Sequence, residues 1–136
     1  MERFLGGWSS YLYAVLRIVA GFLFFQHGAQ KILGLLGGMG GQGATADVLT
    51  RAWFAGIIEL VGGAMIAIGW LTGWVAFLCS GEMAFAYFLA HAPQGFWPIL
   101  NRGELAALYC FVFLYMAAHG AGPLSVDALL GGKSRR

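Results

Sequence analysis

Charge is what this chain of 136 residues has least of: Asp, Glu, Lys and Arg make up 10% of it, where a soluble domain carries about a quarter. A water-soluble fold of this length needs polar groups over most of its surface. That class is excluded, and with 60% hydrophobic residues the chain reads as one solvated by lipid. The formal charge of +2 is too small for a nucleic-acid binder. The largest basic block, Lys133, Arg135 and Arg136, serves better as a topology signal than as a phosphate patch. Cysteine is nearly missing too. Cys79 and Cys110 form no C-x-x-C, which excludes a thioredoxin-like redox pair and a zinc site, and both read as small buried hydrophobes. The first thirty or so residues lack the small-residue cleavage site of a signal peptide, so the first helix is expected to be retained.

What the chain does have is long apolar runs and 22 glycines. The runs at 11–36, 53–71, 74–91 and 104–120 each approach the roughly 20 residues that span a hydrocarbon core. They predict an all-α integral membrane protein, a four-helix antiparallel bundle forming one domain over 1–136. Glycine lets such helices approach where no hydrophobic effect draws them together. The glycine-rich stretch Gly37–Gly43 predicts a mobile loop reaching to about Arg51, and Thr72 and Gly73 alone predict a tight hairpin anchored by Trp70 and Trp74. Ala92–Gly103, with Pro93, Trp97 and Pro98, predicts an ordered amphipathic loop on the membrane surface. An even number of spans places both termini on one side. Arg3, Lys133, Arg135 and Arg136 there outweigh Arg51 and Arg102 in the long loops, so both termini are expected in the cytoplasm.

Against this apolar background, Arg17, His27, Lys31, Glu59 and Glu82 lie inside the spans. An unpaired charge there costs several kcal/mol, so each must find a partner, be neutral or meet water. Arg17, Phe24 and Lys31 recur every seven residues, and His27 and Lys31 are one turn apart, so one stripe of the first helix carries the polar groups and faces inward. Gly56, Glu59 and Gly63 form one face of the second helix, leaving Glu59 room for a partner. Depth along the helices groups His27, Lys31, Glu59 and Glu104 in an outer cluster, and sets Arg17 and Glu82 close enough to pair in the inner half.

Two readings of the outer cluster follow. Its charges hold smooth helices in register, as buried ion pairs do. Alternatively, a His, a Lys and carboxylates converging near the outer surface bind a small polar or redox-active molecule such as a quinone and exchange protons with it. Paired imidazoles also raise haem, since His27 and His91 both lie toward the outer side while His119 lies toward the inner end. A histidine just before Ala92 and Pro93 is an ordinary interfacial residue, so neither haem nor any metal site is expected.

Arg17, Gly21, Phe24, His27, Gly28 and Lys31 in the first helix, with Glu59, Leu60, Gly62, Gly63 and Gly69 in the second, resemble the DoxX family. A closing signature runs through Gly120, Gly122, Pro123, Leu124, Ser125, Val126 and Asp127, so the resemblance covers nearly the whole chain. R-x9-H-x3-K followed by G-x-x-E-L-x-G-G is specific in combination. The resemblance implies a four-helix protein of the bacterial cytoplasmic membrane, of a kind described as an oxidoreductase or as a subunit of a quinone-linked thiosulfate-oxidising complex, or associated with membrane-bound partners. The soluble extension of fused thiosulfate-oxidising relatives is absent, so thiosulfate is not expected as this chain's own substrate. The first expectation is therefore a redox-associated subunit whose His27, Lys31, Glu59 and Glu104 bind a quinone and relay protons, with Arg17 and Glu82 fixing the inner half. The second is a non-enzymatic scaffold that docks a soluble or membrane partner protein. A small transporter is disfavoured, because four short helices enclose little pore.

Overall fold

Apolar runs at helical spacing fold into four helices, and the three prolines, Pro93, Pro98 and Pro123, all fall outside them. In the computed structural model, which describes residues 1–131, these helices are α1 (Ser9–Leu33), α2 (Arg51–Ile68), α3 (Thr72–Ala86) and α4 (Glu104–His119). No strand occurs among the described residues; Met39 and Ala44 make one isolated β-bridge. Helical backbone precedes α1 from Glu2, and α3 continues through a wide turn at Tyr87–His91 and a tighter one at Ala92–Gln94. Three of the resulting helical runs are long and apolar enough to cross a membrane, while α4 is an apolar helix of 16 residues, about 24 Å at 1.5 Å per residue. Lys133, Arg135 and Arg136, on which the topology expectation rests, lie outside the described residues.

Caps explain where these boundaries depart from the apolar runs. The first run extends to Leu36, but the helix stops at Leu33 because Gly34 turns left-handed at φ +65° and returns its N–H to the Ala29 carbonyl. The second begins at Arg51, ahead of its apolar run, because the Thr50 hydroxyl accepts the Trp53 N–H at 3.3 Å. It ends at Gly69, φ +73°. The glycine-rich loop binds to itself and to α1: Met39 N–H reaches the Ala44 carbonyl at 2.8 Å, and Ala46 N–H reaches the Lys31 carbonyl at 2.7 Å.

Glycine sets the closest helix pair. A Cβ on Gly21 would collide with the backbone at Gly63 and Ala67, one on Gly28 with Leu60, and one on Gly56 with Lys31 and Ile32. As α1 ascends, its partner on α2 descends, so the two run antiparallel at near backbone contact. Gly62 of α2 abuts the Cys79 sulfur of α3. The Ser80 hydroxyl of α3 donates to the Cys110 carbonyl of α4 at 2.7 Å, and Gly73 faces the Ala117 carbonyl, again antiparallel. Phe24 of α1 packs edge-on against Phe113 of α4 with centroids 4.8 Å apart. Phe24, Ile66, Cys79, Phe113 and Met116 fill the middle, while Val15, Phe22, Val61, Phe77, Leu108 and Phe111 are exposed around the outside, where lipid solvates them. One end of the molecule carries the loops 34–50 and 92–103, here termed the loop end. The other, the terminal end, carries the 69–71 turn and both ends of the described chain.

This packing predicts that Gly28→Ala and Gly63→Ala, which push Cβ atoms into the opposing backbone, each destabilise the detergent-solubilised protein by about 1–3 kcal/mol. Gly81→Ala, whose Cβ meets nothing, is expected to be neutral or to stabilise by up to about 1 kcal/mol. Thermal unfolding followed by circular dichroism measures all three.

Candidate functional site

The two ends of the fold satisfy their charges in different ways. At the terminal end Arg17 is fully buried, and its fork is occupied by backbone. Nε donates to the Ala121 carbonyl at 2.9 Å, Nη1 to those of Ile66 and Ala67 at 2.8 and 2.6 Å, and Nη2 to Leu124 at 2.7 Å and Pro123 at 3.4 Å. Two of these carbonyls close the last turn of α2, where the helix dipole favours a cation. The others belong to the segment after α4. That segment is secured by Asp127, whose carboxylate accepts the N–H groups of Leu71 at 2.9 Å and Thr72 at 3.1 Å and so caps α3. Its own N–H binds the Gly69 carbonyl at 3.0 Å. Gly69 is required there because a side chain would strike Ser125 and the Arg17 guanidinium.

The expected Arg17 and Glu82 pair is therefore not formed. Glu82 sits ten residues along α3 from the terminal end, about 15 Å above the level of Arg17's partners, and it faces a groove between α2 and α3.

At the loop end Lys31 Nζ and Glu59 Oε1 form an ion pair at 2.6 Å. The Glu59 side chain is 3% exposed and that of Lys31 27%, so the carboxylate belongs to the interior while the ammonium reaches toward the surface. Glu59 Oε2 is buried and has no hydrogen-bond partner, a condition that costs about 1–3 kcal/mol unless something supplies one. The pair opens on a cavity of about 260 Å³ whose polar lining is His27, Lys31, Glu59, His91 and Arg102, against walls that include Phe24, Met83 and Tyr109. Of the four residues expected in the outer cluster, the structure brings together His27, Lys31 and Glu59. Glu104 is exposed at the start of α4 and does not line the cavity; the first residue of a helix that begins at the surface points to water.

His91 and Arg102 complete the polar lining; the sequence placed both toward the outer side, but His91 reads there as an ordinary interfacial residue and Arg102 as a loop charge, because His91 closes its apolar run and Arg102 lies between two. Buried Asn101 organises the irregular stretch between α3 and α4: its Nδ2 donates to the Gly95 carbonyl at 2.8 Å and its Oδ1 accepts the Gly103 N–H at 2.8 Å. Its backbone carbonyl accepts from His91 Nδ1 at 3.0 Å, leaving Nε2 of that ring for a ligand. A buried asparagine between Trp97 and a helix start was the available signal. The third histidine, His119, lies at the terminal end with its ring centroid 3.9 Å from that of Tyr13 and tilted 33° to it. Among the described residues no group of three or more His, Cys, Asp or Glu is placed to hold a metal ion.

Comparison with known proteins matches residues 12–92 to the DoxX family model, the stretch that holds Arg17, the Lys31–Glu59 pair and His91. An uncharacterised protein of Haemophilus influenzae is 45% identical over 121 residues, covering 86% of this chain and 89% of its own length. No solved structure matches the chain.

Arg17→Lys, which cannot reproduce the five-carbonyl fork, is expected to destabilise the protein by about 3 kcal/mol or more, whereas Glu82→Gln leaves those bonds intact and has little effect. Equal loss of thermal stability in both variants would show that the two side chains do pair.

Proposed function

This chain belongs to the DoxX family, and from that premise we propose that it is a redox-associated subunit of the bacterial cytoplasmic membrane that binds a quinone head group in the cavity beside Lys31 and Glu59. Its helices form a four-helix antiparallel bundle over one domain, with both termini cytoplasmic and the loop end facing outward. The observation that carries the reading is the free Oε2 of a carboxylate buried at 2% exposure on the wall of a cavity that also holds His27, Lys31, His91 and Arg102.

The lining suits such a head. A quinone supplies two carbonyl oxygens and takes up protons as it is reduced. Lys31, His27 and Arg102 are donors that can bind those oxygens, and Phe24 and Tyr109 offer aromatic faces for a flat ring. Glu59 can hold and pass a proton at the oxygen that Lys31 leaves free, while the Lys31 bond fixes the carboxylate's orientation. His91, positioned by Asn101, presents its second nitrogen as a further proton carrier. The chain supplies binding and proton handling, and electrons come from a partner subunit.

The test uses a tail-less ubiquinone head group and the quenching of tryptophan fluorescence in the purified protein. Glu59→Gln and His27→Ala are each expected to weaken binding at least tenfold while the thermal unfolding curve stays close to that of the wild type. Lys31→Met is the harsher variant, because it strands Glu59 unpaired in the interior at a cost of about 3–5 kcal/mol. Wild-type affinity in both Glu59→Gln and His27→Ala would remove the cavity as the binding place.

A further inference from the structure

A second concavity, of about 840 Å³, lies on the lipid side of α2 and α3. Its lining is almost wholly apolar, with Phe54, Phe77 and Phe85 exposed along it, Arg51 at its loop-end mouth, and Glu82 as its one carboxyl. Register ties this groove to the cavity. Because Gly62 abuts Cys79 and the helices run antiparallel, three residues further along each one puts Glu59 and Glu82 level with one another. Both carry a buried Oε2 without a hydrogen-bond partner. Ala86, one turn beyond Glu82, lines groove and cavity alike, so a single small side chain stands where the two meet.

We propose that the cavity's ligand is a membrane-borne amphiphile admitted sideways between α2 and α3, with its ring-sized polar head beside the Lys31–Glu59 pair and its apolar tail in the groove past Glu82. This rests on the reading of the cavity as a head-group site. Each end of such a molecule meets matching chemistry. The donors on the cavity wall suit a head with acceptor oxygens, and the open apolar groove gives a long tail a bed along two helices. An acyl chain of ordinary lipid would fill the groove equally well, but it would give no use to the Glu82 oxygen or to the shared wall at Ala86. A water-soluble ligand would need neither. Glu82 is a positioning residue here: its carboxyl, holding a proton, donates a hydrogen bond to an acceptor oxygen of the head as it passes between bilayer and cavity.

The test exploits Gly81, on the groove wall, where an added Cβ meets nothing within 4 Å. Gly81→Phe adds a ring on the groove wall from a position whose Cβ is unopposed, and its thermal unfolding curve is compared with that of the wild type. Binding of decylubiquinone and of the tail-less ubiquinone head is measured by fluorescence quenching in the wild type and in Gly81→Phe. The wild type is expected to bind the tailed probe at least tenfold more tightly, and the variant to lose that advantage while keeping its affinity for the bare head. Equal affinity of the wild type for both probes, or an advantage that survives Gly81→Phe, overturns the groove and leaves the cavity standing. Failure of the wild type to bind either probe overturns the cavity, and the groove falls with it.

Discussion

A charge in hydrocarbon has no solvent to turn to, and this fold is arranged around how its buried arginine escapes that penalty. An arginine in a membrane helix costs up to about 2.5–3.5 kcal/mol on insertion scales, the value at the helix centre. Arg17 recovers it by donating to five backbone carbonyls, with no carboxylate among its hydrogen-bond partners. Those carbonyls come from the end of α2 and from the segment after α4, so one side chain on α1 joins three separate parts of the chain. Asp127 completes the junction by capping α3. The short closing stretch is thereby structural: it supplies acceptors to α1 and an N-cap to α3, and it positions the glycine turn between α2 and α3.

The loop end is built on the opposite principle. Lys31 and Glu59 satisfy one another through a single pair of atoms and leave donor and acceptor capacity unused in a cavity. The hydrogen-bonding capacity of the charged groups is thus saturated at one end of the bundle and left partly unused at the other. The glycine contact between α1 and α2 makes this possible, since near backbone contact lets a lysine from one helix reach a glutamate on the other within the membrane.

Much of this was legible in the sequence, because membrane helices advertise themselves by length and hydropathy and because an ion in an apolar run stands out against its neighbours. The seven-residue recurrence of Arg17, Phe24 and Lys31 marked the inward stripe, and small residues around Glu59 marked where another helix would come close. Arg17's partners were not legible, since backbone carbonyls leave no trace in residue identity, and the search for a carboxylate led to Glu82. Glu104 was grouped by depth alone, which cannot tell a helix's first residue from one turned inward. His91, Asn101 and Arg102 lie in irregular chain whose path periodicity does not describe. Hydropathy also overran Gly34, because Leu35 and Leu36 are apolar although the backbone has already left the helix.

The most direct test of this account is to ask what the protein carries out of its own membrane. Wild type and Glu59→Gln, purified in parallel in mild detergent and shown to be equally folded, are extracted and their bound small molecules compared by mass spectrometry. A tailed, redox-active lipid is expected to accompany the wild type and to be depleted at least tenfold in the variant. Recovery of only bulk phospholipid from both, in equal amount, would contradict this reading.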